Sequence, residues 1–488
     1  MLFLTFLDNT IVGVALAKLQ TPLGVSVSGL QWVVDGYMLA FAALMLAGGT
    51  LGDLLGRKRV MLFGLAVLIA GSLVSAVAQT TTVLIIGRVV MGVGAAASEP
   101  GTLSLIRQIY PEPKPRARAV GIWTAVSGVA LALGPIIGGV LVGAFGWRGI
   151  FWFNVVAGAV ALVAAALTVP ESRDPEGRLD VPGLALLGTA FTAATFAIIE
   201  GRDPGYTTWW VIVLLAVAVA AAVAFVAVER RVRDPLLPLG YFRNPSYATA
   251  NVVAFAMNFA LYAVFVFTAL YLQLVAGFTT WRIAVLFIPL AAALAVASVL
   301  FGHPTTHERP RWPLVAGSVV AAGGMLLVDH LLTPHVSLAP LAGALLLVGV
   351  GFGAVLVTVT ATVLALVPAA RSGMAASTVN SSRQLGGVMG VAILGAVISG
   401  HLTSSLEHRL SALGIPSGFH GVIVSAVKHG QPPSGGGPAL GDPRLVHQIV
   451  GAAQSGYGDG MHMCMAIAAA VLLVAGVAAA FVPRTTSR

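Results

Sequence analysis

Fourteen apolar runs of about twenty residues each constrain this chain more than any other feature, because that is the length a helix needs to cross roughly 30 Å of hydrocarbon. They lie near residues 2–20, 30–51, 60–78, 82–108, 117–144, 149–169, 182–200, 207–228, 247–275, 281–302, 312–330, 338–367, 372–400 and 461–482. Breaks such as Pro111-Glu112-Pro113-Lys114-Pro115 and Glu171-Ser172-Arg173-Asp174-Pro175 do not favour a continued helix and are tolerated in water, so they read as loops. With 58% hydrophobic and 9% charged residues, a soluble globule is excluded and the fold class expected is an all-α membrane protein with 14 spans.

There are 27 Lys and Arg against 18 Asp and Glu, but the basic residues stand in short clusters between apolar runs and form no single solvated face. Nucleic acid is therefore not an expected partner; the lipid bilayer is. Most of the basic residues, Arg57, Lys58, Arg59, Lys114, Arg116, Arg230 and Arg231 among them, fall in alternate loops, which places both termini in the cytoplasm. Lys18, Lys58, Lys114 and Lys428 are the only lysines, a compositional hint at a GC-rich bacterial genome. The first run has no basic leader and carries Asp8, Asn9 and Thr10 in its middle, so it reads as a span and not a cleaved signal. Only about 10 Å of helix precedes Asp8, which suggests a start upstream of Met1.

Residues 401–460 form the one long segment outside the runs, and Gly430-Gln-Pro-Pro-Ser-Gly-Gly-Gly-Pro438 within it predicts a flexible extracytoplasmic loop. His401, His408, His420, His429, His447 and His462 lie in or beside it at spacings that match no metal motif, so solvated histidines and no metal site are expected. Cys464 is the single cysteine and cannot form an internal disulfide.

A charge at mid-span costs about 2.5–3.5 kcal/mol, so each one needs a partner, a water-filled cavity or a function. Asp8, Asp35, Arg88, Glu99 and Arg383 are the five that lie deep in runs. Arg88 and Glu99 are separated by about 20° around one helix and roughly 16 Å along it, so they share a face without touching. Gly92 and Ala95 lie between them, small enough to admit a neighbouring helix or a ligand, and Pro100 removes a backbone hydrogen bond beside Glu99. Burial favours the neutral form of a carboxylate and a nearby guanidinium favours the ionised form, so a carboxylate in such a cavity can gain or lose a proton as helices move. Asp8, Asp35 and Glu99 are the candidates for proton coupling, with Arg88 as their tuner. The competing reading is an ion-pair network that only fixes packing. Glu200, Glu229 and Asp329 lie at run ends, where interfacial water accounts for them.

The turn after the second run, Gly49-x-Leu-x-Asp53-x-x-Gly56-Arg57-Lys58, resembles the signature loop of the major facilitator superfamily. The resemblance implies that Asp53 and Arg57 help lock one gating state. Leu7-Asp8-Asn9-Thr10-Ile11-Val12-Gly13-Val14-Ala15-Leu16 is similar to the first-span motif of the fourteen-span drug:proton antiporters, with Gly13 where an Asn is common. Gly87-Arg88-x-x-x-Gly92 resembles the fourth-span motif whose Arg is implicated in proton coupling. Ala130-x-x-x-Gly134-Pro135-x-x-Gly138-Gly139 resembles the fifth-span antiporter motif, and Trp147-Arg148-x-Ile150-Phe151-x-x-Asn154 adds to the likeness. Independently of any family, the Gly134–Gly138 and Gly139–Gly143 pairs predict close helix contact, with a bend at Pro135.

The resemblance implies two six-helix bundles, residues 1–170 and 247–482, with two additional helices at 182–228, in a monomer. The equivalent loop of the second half, Gly302 to Arg311, lacks the Asp of the signature, so gating there is not expected from it. Transporters of this kind bind near the midplane, between repeats. Asn251, Phe255, Asn258 and Tyr262 form one helical stripe, read equally as a cavity face or as interhelix hydrogen bonding. Asn380, Arg383 and Gln384 form a second polar cluster, and Tyr37, with Trp32 and Phe41, offers aromatic surface.

The function expected is export of a small amphiphilic organic molecule, cations included, in exchange for protons, by alternating access. No P-loop is present, so the proton gradient and not ATP is the expected energy source, with no cofactor. A proton-coupled importer on the same fold is the alternative. An enzyme is disfavoured by the lack of HExxH and GxSxG, and a channel would show no saturable exchange.

Overall fold

The structure is a computed structural model of residues 1–488. It describes all of them except 24–26, 173–179, 202–204, 233–234, 238, 303–310, 334–335, 369–371, 416–418, 422, 425–442 and 482–488. Among the described residues there is no strand. The first six helices are α1 (Leu2–Leu23), α2 (Val27–Leu55), α3 (Arg57–Ala76), α4 (Thr81–Ile109), α5 (Pro113–Phe145) and α6 (Arg148–Thr168). Then come α7 (Val181–Glu200) and α8 (Trp209–Glu229). A short 3-10 turn, Leu239–Arg243, leads into α9 (Pro245–Tyr262), which runs through a π turn at Ala263–Phe267 into α10 (Thr268–Leu274). The rest are α11 (Thr280–Phe301), α12 (Arg311–Leu331), α13 (Leu338–Ala365), α14 (Ser372–Ala412) and α15 (Pro443–Ala480).

A helix therefore stands at every apolar run. Eleven are long and apolar enough to cross a membrane among the described residues, or twelve if α2, bent by 51° between Met45 and Ala47, counts as one. Among the described residues α1 and α5 offer shorter apolar stretches, Leu2–Val12 and Ile136–Phe145, so the fourteen spans expected are confirmed only to eleven or twelve. Helix α4 runs through Pro100 without a break. Outward faces carry large apolar side chains, such as Leu167 at 80% and Val223 at 64% exposure, as a surface solvated by lipid requires.

Packing repeats along the chain. In the first six helices α2 and α3 pack on α4, α1 on α5, and α3 on α6. In the later helices α11 and α12 pack on α13, α9 on α14, and α12 on α15. Helix α5 meets α11, and α14 meets α2 and α4, which joins the two sets. Close approach depends on absent side chains: a Cβ on Gly390 of α14 would lie 2.6 Å from the Phe259 carbonyl oxygen of α9. The pair α7 and α8 pack on each other, and α7 also on α2.

Three expectations from sequence need correcting. The segment 401–460 is not simply a flexible loop: α14 extends to Ala412 and α15 begins at Pro443, and at 41 and 38 residues they run about 60 Å, twice a bilayer core. Leu402, Leu406 and Leu410 recur every fourth residue and close a small core with Ile423, Val424, Ile449 and Ala452, which supplies the hydrophobic reason. Residues 430–438 lie outside the described residues. His462 pairs with Asp329 at 2.8 Å, and His401 Nδ1 lies 3.0 Å from the Val397 carbonyl. Glu229 is not at a solvated end; it is buried against Asp180. Asp180 Oδ1 caps α7 by accepting from the Gly183 amide at 2.9 Å, and Glu229 Oε2 accepts from the Leu237 amide at 3.1 Å.

Candidate functional site

Inside the bundle, α1 carries Asp8 to the middle of the first set, where it is 1% exposed. Its carboxylate accepts from Arg88 Nη1 of α4 and, at 2.7 Å, from Asn154 Nδ2 of α6. Arg88 is the largest fully buried side chain among the described residues. Its Nε donates to the Val33 carbonyl of α2 at 2.7 Å, and its guanidinium stacks 4.6 Å from the Tyr37 ring centre. Tyr37 in turn donates to the Thr5 carbonyl of α1 at 3.3 Å and stacks on Phe41. One ion pair is thus held by four helices. Asn154 is a partner that no spacing rule could supply, since it stands 146 residues from Asp8.

Glu99 lies three turns further along α4 and is 1% exposed, yet it does not share Arg88. Its Oε2 has no hydrogen-bond partner. Gly92, between them, is filled by α2: a Cβ there would press on Ala40 and the Phe41 amide, so the small residue admits a helix and not a ligand. The charge whose field reaches Glu99 comes from the other set, Arg383 of α14. Arg383 Nη1 donates to Asn380 Oδ1 at 3.0 Å, and its guanidinium lies 5.6 Å from the Phe6 ring centre. Arg383 Nε and Asn380 Nδ2 are buried without partners. Gln384 is buried beside them. Tyr37 lies within the fields of Asp8, Arg88, Glu99 and Tyr262, so it stands between the two polar groups.

The α9 stripe divides. Asn251 is committed to packing: it donates to the Tyr247 carbonyl at 2.9 Å and accepts from Ser382 of α14 at 3.0 Å. The backbone of Phe255 lies against Gly386 and its ring stacks on Phe259. Asn258 is buried with Oδ1 unpartnered, and the Tyr262 ring covers Gly387 while within reach of the charges of Glu99 and Arg383. Asp35 is only half-buried, unlike Asp8 and Glu99. Trp32 is neither a cavity wall nor a simple interfacial anchor: its Nε1 donates to Glu200 and its ring meets Phe196, both on α7.

At one end of the bundle the turn between α2 and α3 closes on itself. Arg57 binds Asp53 Oδ1 through Nε and Nη2, each at 2.9 Å, and both residues are buried. Gly56 makes the turn at φ 112°, a conformation that favours glycine, and the Glu171 carboxylate fills the space a Cβ would take, 2.7 Å away. Glu171 accepts from the Lys58 amide at 3.1 Å, and Ser172 binds the Arg57 side chain and amide at 2.8 Å each. Asp53 Oδ2 accepts from the Met374 amide in the first turn of α14 at 3.3 Å, so the latch reaches across the two sets. Gly49 is buried within α2. The second-half loop lies at 303–310, outside the described residues.

The glycines of α5 serve unequally. A Cβ on Gly134 would strike Thr10 and Ile11 of α1, so the expected close contact is made there, and Gly138 is buried. Gly139 and Gly143 have no described atom within 4 Å of a Cβ, so that second pair makes no close contact. Nothing is described of the Pro135 side chain. Among the described residues no three His, Cys, Asp or Glu are grouped to hold a metal.

Comparison with known proteins places this geometry. The family model of the Major Facilitator Superfamily matches residues 1–391. Multidrug resistance protein Stp of Mycobacterium tuberculosis (strain ATCC 25618 / H37Rv) is 34% identical over 97% of this chain and 88% of its own length. Puromycin resistance protein pur8 of Streptomyces alboniger is 35% identical over 86% and 85%. A bacterial homolog of the human lysosomal transporter Spinster, solved inward-facing and unoccupied, superposes with a TM-score of 0.61 at 18% identity, covering 100% of this chain and 97% of that one, a likeness of fold. On the strength of that family match and those relatives, the chain belongs to the Major Facilitator Superfamily, a family of multi-pass membrane transporters and not of enzymes.

Proposed function

We propose that the protein exports amphiphilic drugs or antibiotics across the cytoplasmic membrane of a bacterium in exchange for protons, by alternating access of two six-helix halves, residues 1–170 and 247–482, in a fourteen-span monomer. The names of the relatives, multidrug and puromycin resistance proteins, support a drug as cargo. The distribution of Lys and Arg supports cytoplasmic termini and puts the Asp53 latch on the cytoplasmic side.

The observation that carries proton coupling is the buried Asp8–Arg88 pair. Protonating Asp8 leaves Arg88 buried without its counter-charge, and breaking a buried pair this way costs about 3–5 kcal/mol. A proton entering down 100 mV supplies about 2.3 kcal/mol, and each pH unit adds about 1.4. These are the same size as the gap between two transporter states, so proton binding can tip the halves from one to the other. Glu99, with its unpartnered Oε2, is the group where substrate and proton compete; Asp35 completes the coupling set. No cofactor enters this scheme.

The test is a drug-susceptibility panel on a sensitive strain expressing the protein, followed by vesicle assays of proton release on adding the drugs so found. Raised tolerance that collapses with a protonophore is expected. Tolerance unaffected by the protonophore, or drug accumulation in place of export, overturns the reading.

A further inference from the structure

Glu99 and Arg383 stand on α4 and α14, helices of different halves that pack together, and both are buried. Their charges interact, yet no ion pair within 4.0 Å joins them. Each keeps an unused polar atom: Glu99 Oε2 has no donor, and Arg383 Nε and Asn380 Nδ2 have no acceptor. Buried polar atoms in native proteins are nearly always paired, and these three belong to two opposite charges and to the amide that already bonds one of them, so they are groups whose missing partners a ligand can supply. The Phe6 ring lies beneath the Arg383 guanidinium and the Tyr262 ring lies within reach of both charges, which gives the polar groups aromatic walls.

We propose that Glu99, Arg383 and Asn380 bind the polar end of the transported amphiphile, and that this end is uncharged or zwitterionic, with a hydrogen-bond donor for Glu99 and an acceptor for Arg383 and Asn380. The inference rests on the transport reading above and narrows its substrate class. Charge balance decides the sign. The site already holds the Arg383 guanidinium, with no ion pair to Glu99, so a permanent cation would add a second positive charge to a buried apolar site. A head with both a donor and an acceptor instead satisfies all three orphans and adds no net charge.

Equilibrium binding to the full-length protein in nanodiscs, without any gradient, separates this from proton coupling. The probes are chloramphenicol, which is neutral with hydroxyl donors and an amide acceptor, tetracycline as a zwitterion, and tetraphenylphosphonium as a permanent cation. Wild type should bind at least one of the first two, and tetraphenylphosphonium about tenfold or more weaker. Arg383→Gln should weaken the neutral or zwitterionic probe about tenfold and gain tetraphenylphosphonium, because Glu99 then stands alone. Glu99→Gln/Arg383→Gln removes both charges together, so it leaves no buried charge unpaired and keeps the test open should Arg383→Gln fail to insert, and it should bind neither class well. Equal or tighter binding of tetraphenylphosphonium by wild type, binding of neither neutral nor zwitterionic probe, or a double variant with wild-type selectivity overturns the proposal. Failure of antiport with this binding pattern intact would refute the proton scheme alone.

Discussion

Replacing Asp53 by Asn removes the charge at the centre of the latch while keeping its shape. Two hydrogen bonds from Arg57 converge on Oδ1, and the Met374 amide of the second half donates to Oδ2. Asn has a single acceptor oxygen: kept toward Arg57, it turns the amide NH2 against the Met374 N–H, so a cross-half hydrogen bond to a charged group, worth about 1.5–3 kcal/mol, is lost. That is a shift of roughly 10- to 150-fold in the ratio of latched to unlatched molecules. The turn itself should survive, because Arg57 keeps Ser172 and Lys58 keeps Glu171. Cys464 is the single cysteine, so a Cys464→Ser background accepts spin labels at Leu55 and Pro368, both exposed. Electron–electron distance measurements should show one dominant short separation in the parent and a long-distance population grown by that ratio in Asp53→Asn. Identical distributions would refute the claim that this carboxylate holds the halves together.

Helix packing predicts opposite outcomes at two glycines: Gly390→Ala should lower thermal stability by about 1–3 kcal/mol by pushing α14 off α9, whereas Gly139→Ala, which meets no described atom within 4 Å, should be neutral or gain up to about 1 kcal/mol. Melting curves in one detergent compare them, and equal losses would contradict the packing. Glu229→Gln should leave stability unchanged or raised, since two adjacent buried carboxyls cannot both be charged, while Glu229→Ala, which drops the bond to the Leu237 amide, should cost about 1–3 kcal/mol; a Gln variant as damaged as Ala would count against it. His462→Ala should alter stability by less than about 1 kcal/mol despite its 2.8 Å contact with Asp329, because the imidazole is 56% exposed. A larger loss would show that α12 and α15 depend on that pair.

The helices were legible because hydrocarbon imposes a length on every span, and a run of apolar residues records it directly. The site was legible only one residue at a time. Asp8, Arg88, Glu99 and Arg383 announce themselves by their cost in an apolar run, and helical geometry puts Arg88 and Glu99 on one face. Their partners come from elsewhere: Asp8 reaches Arg88 from α1, Asn154 reaches Asp8 from α6, and the charge of Arg383 reaches Glu99 from α14, choices fixed by how helices pack and not by spacing along any one of them. Asn251 shows the same limit, for an amide facing a cavity and an amide facing Ser382 leave the same periodicity. Glu171 and Ser172 were hidden because a Pro-rich charged break reads as loop whatever it touches. The Gly- and Pro-rich stretch at 430–438 masked the leucine stripe that carries α14 past the membrane.

The most direct test uses proteoliposomes that trap a pH-sensitive dye, with a drug identified from the susceptibility panel imposed as the sole gradient. Wild type should change the internal pH as the drug moves, and Asp8→Asn should still bind the drug yet move no protons. Proton flux at the wild-type rate in Asp8→Asn, or drug movement by wild type with no pH change, would contradict the assignment of the buried Asp8–Arg88 pair as the proton switch.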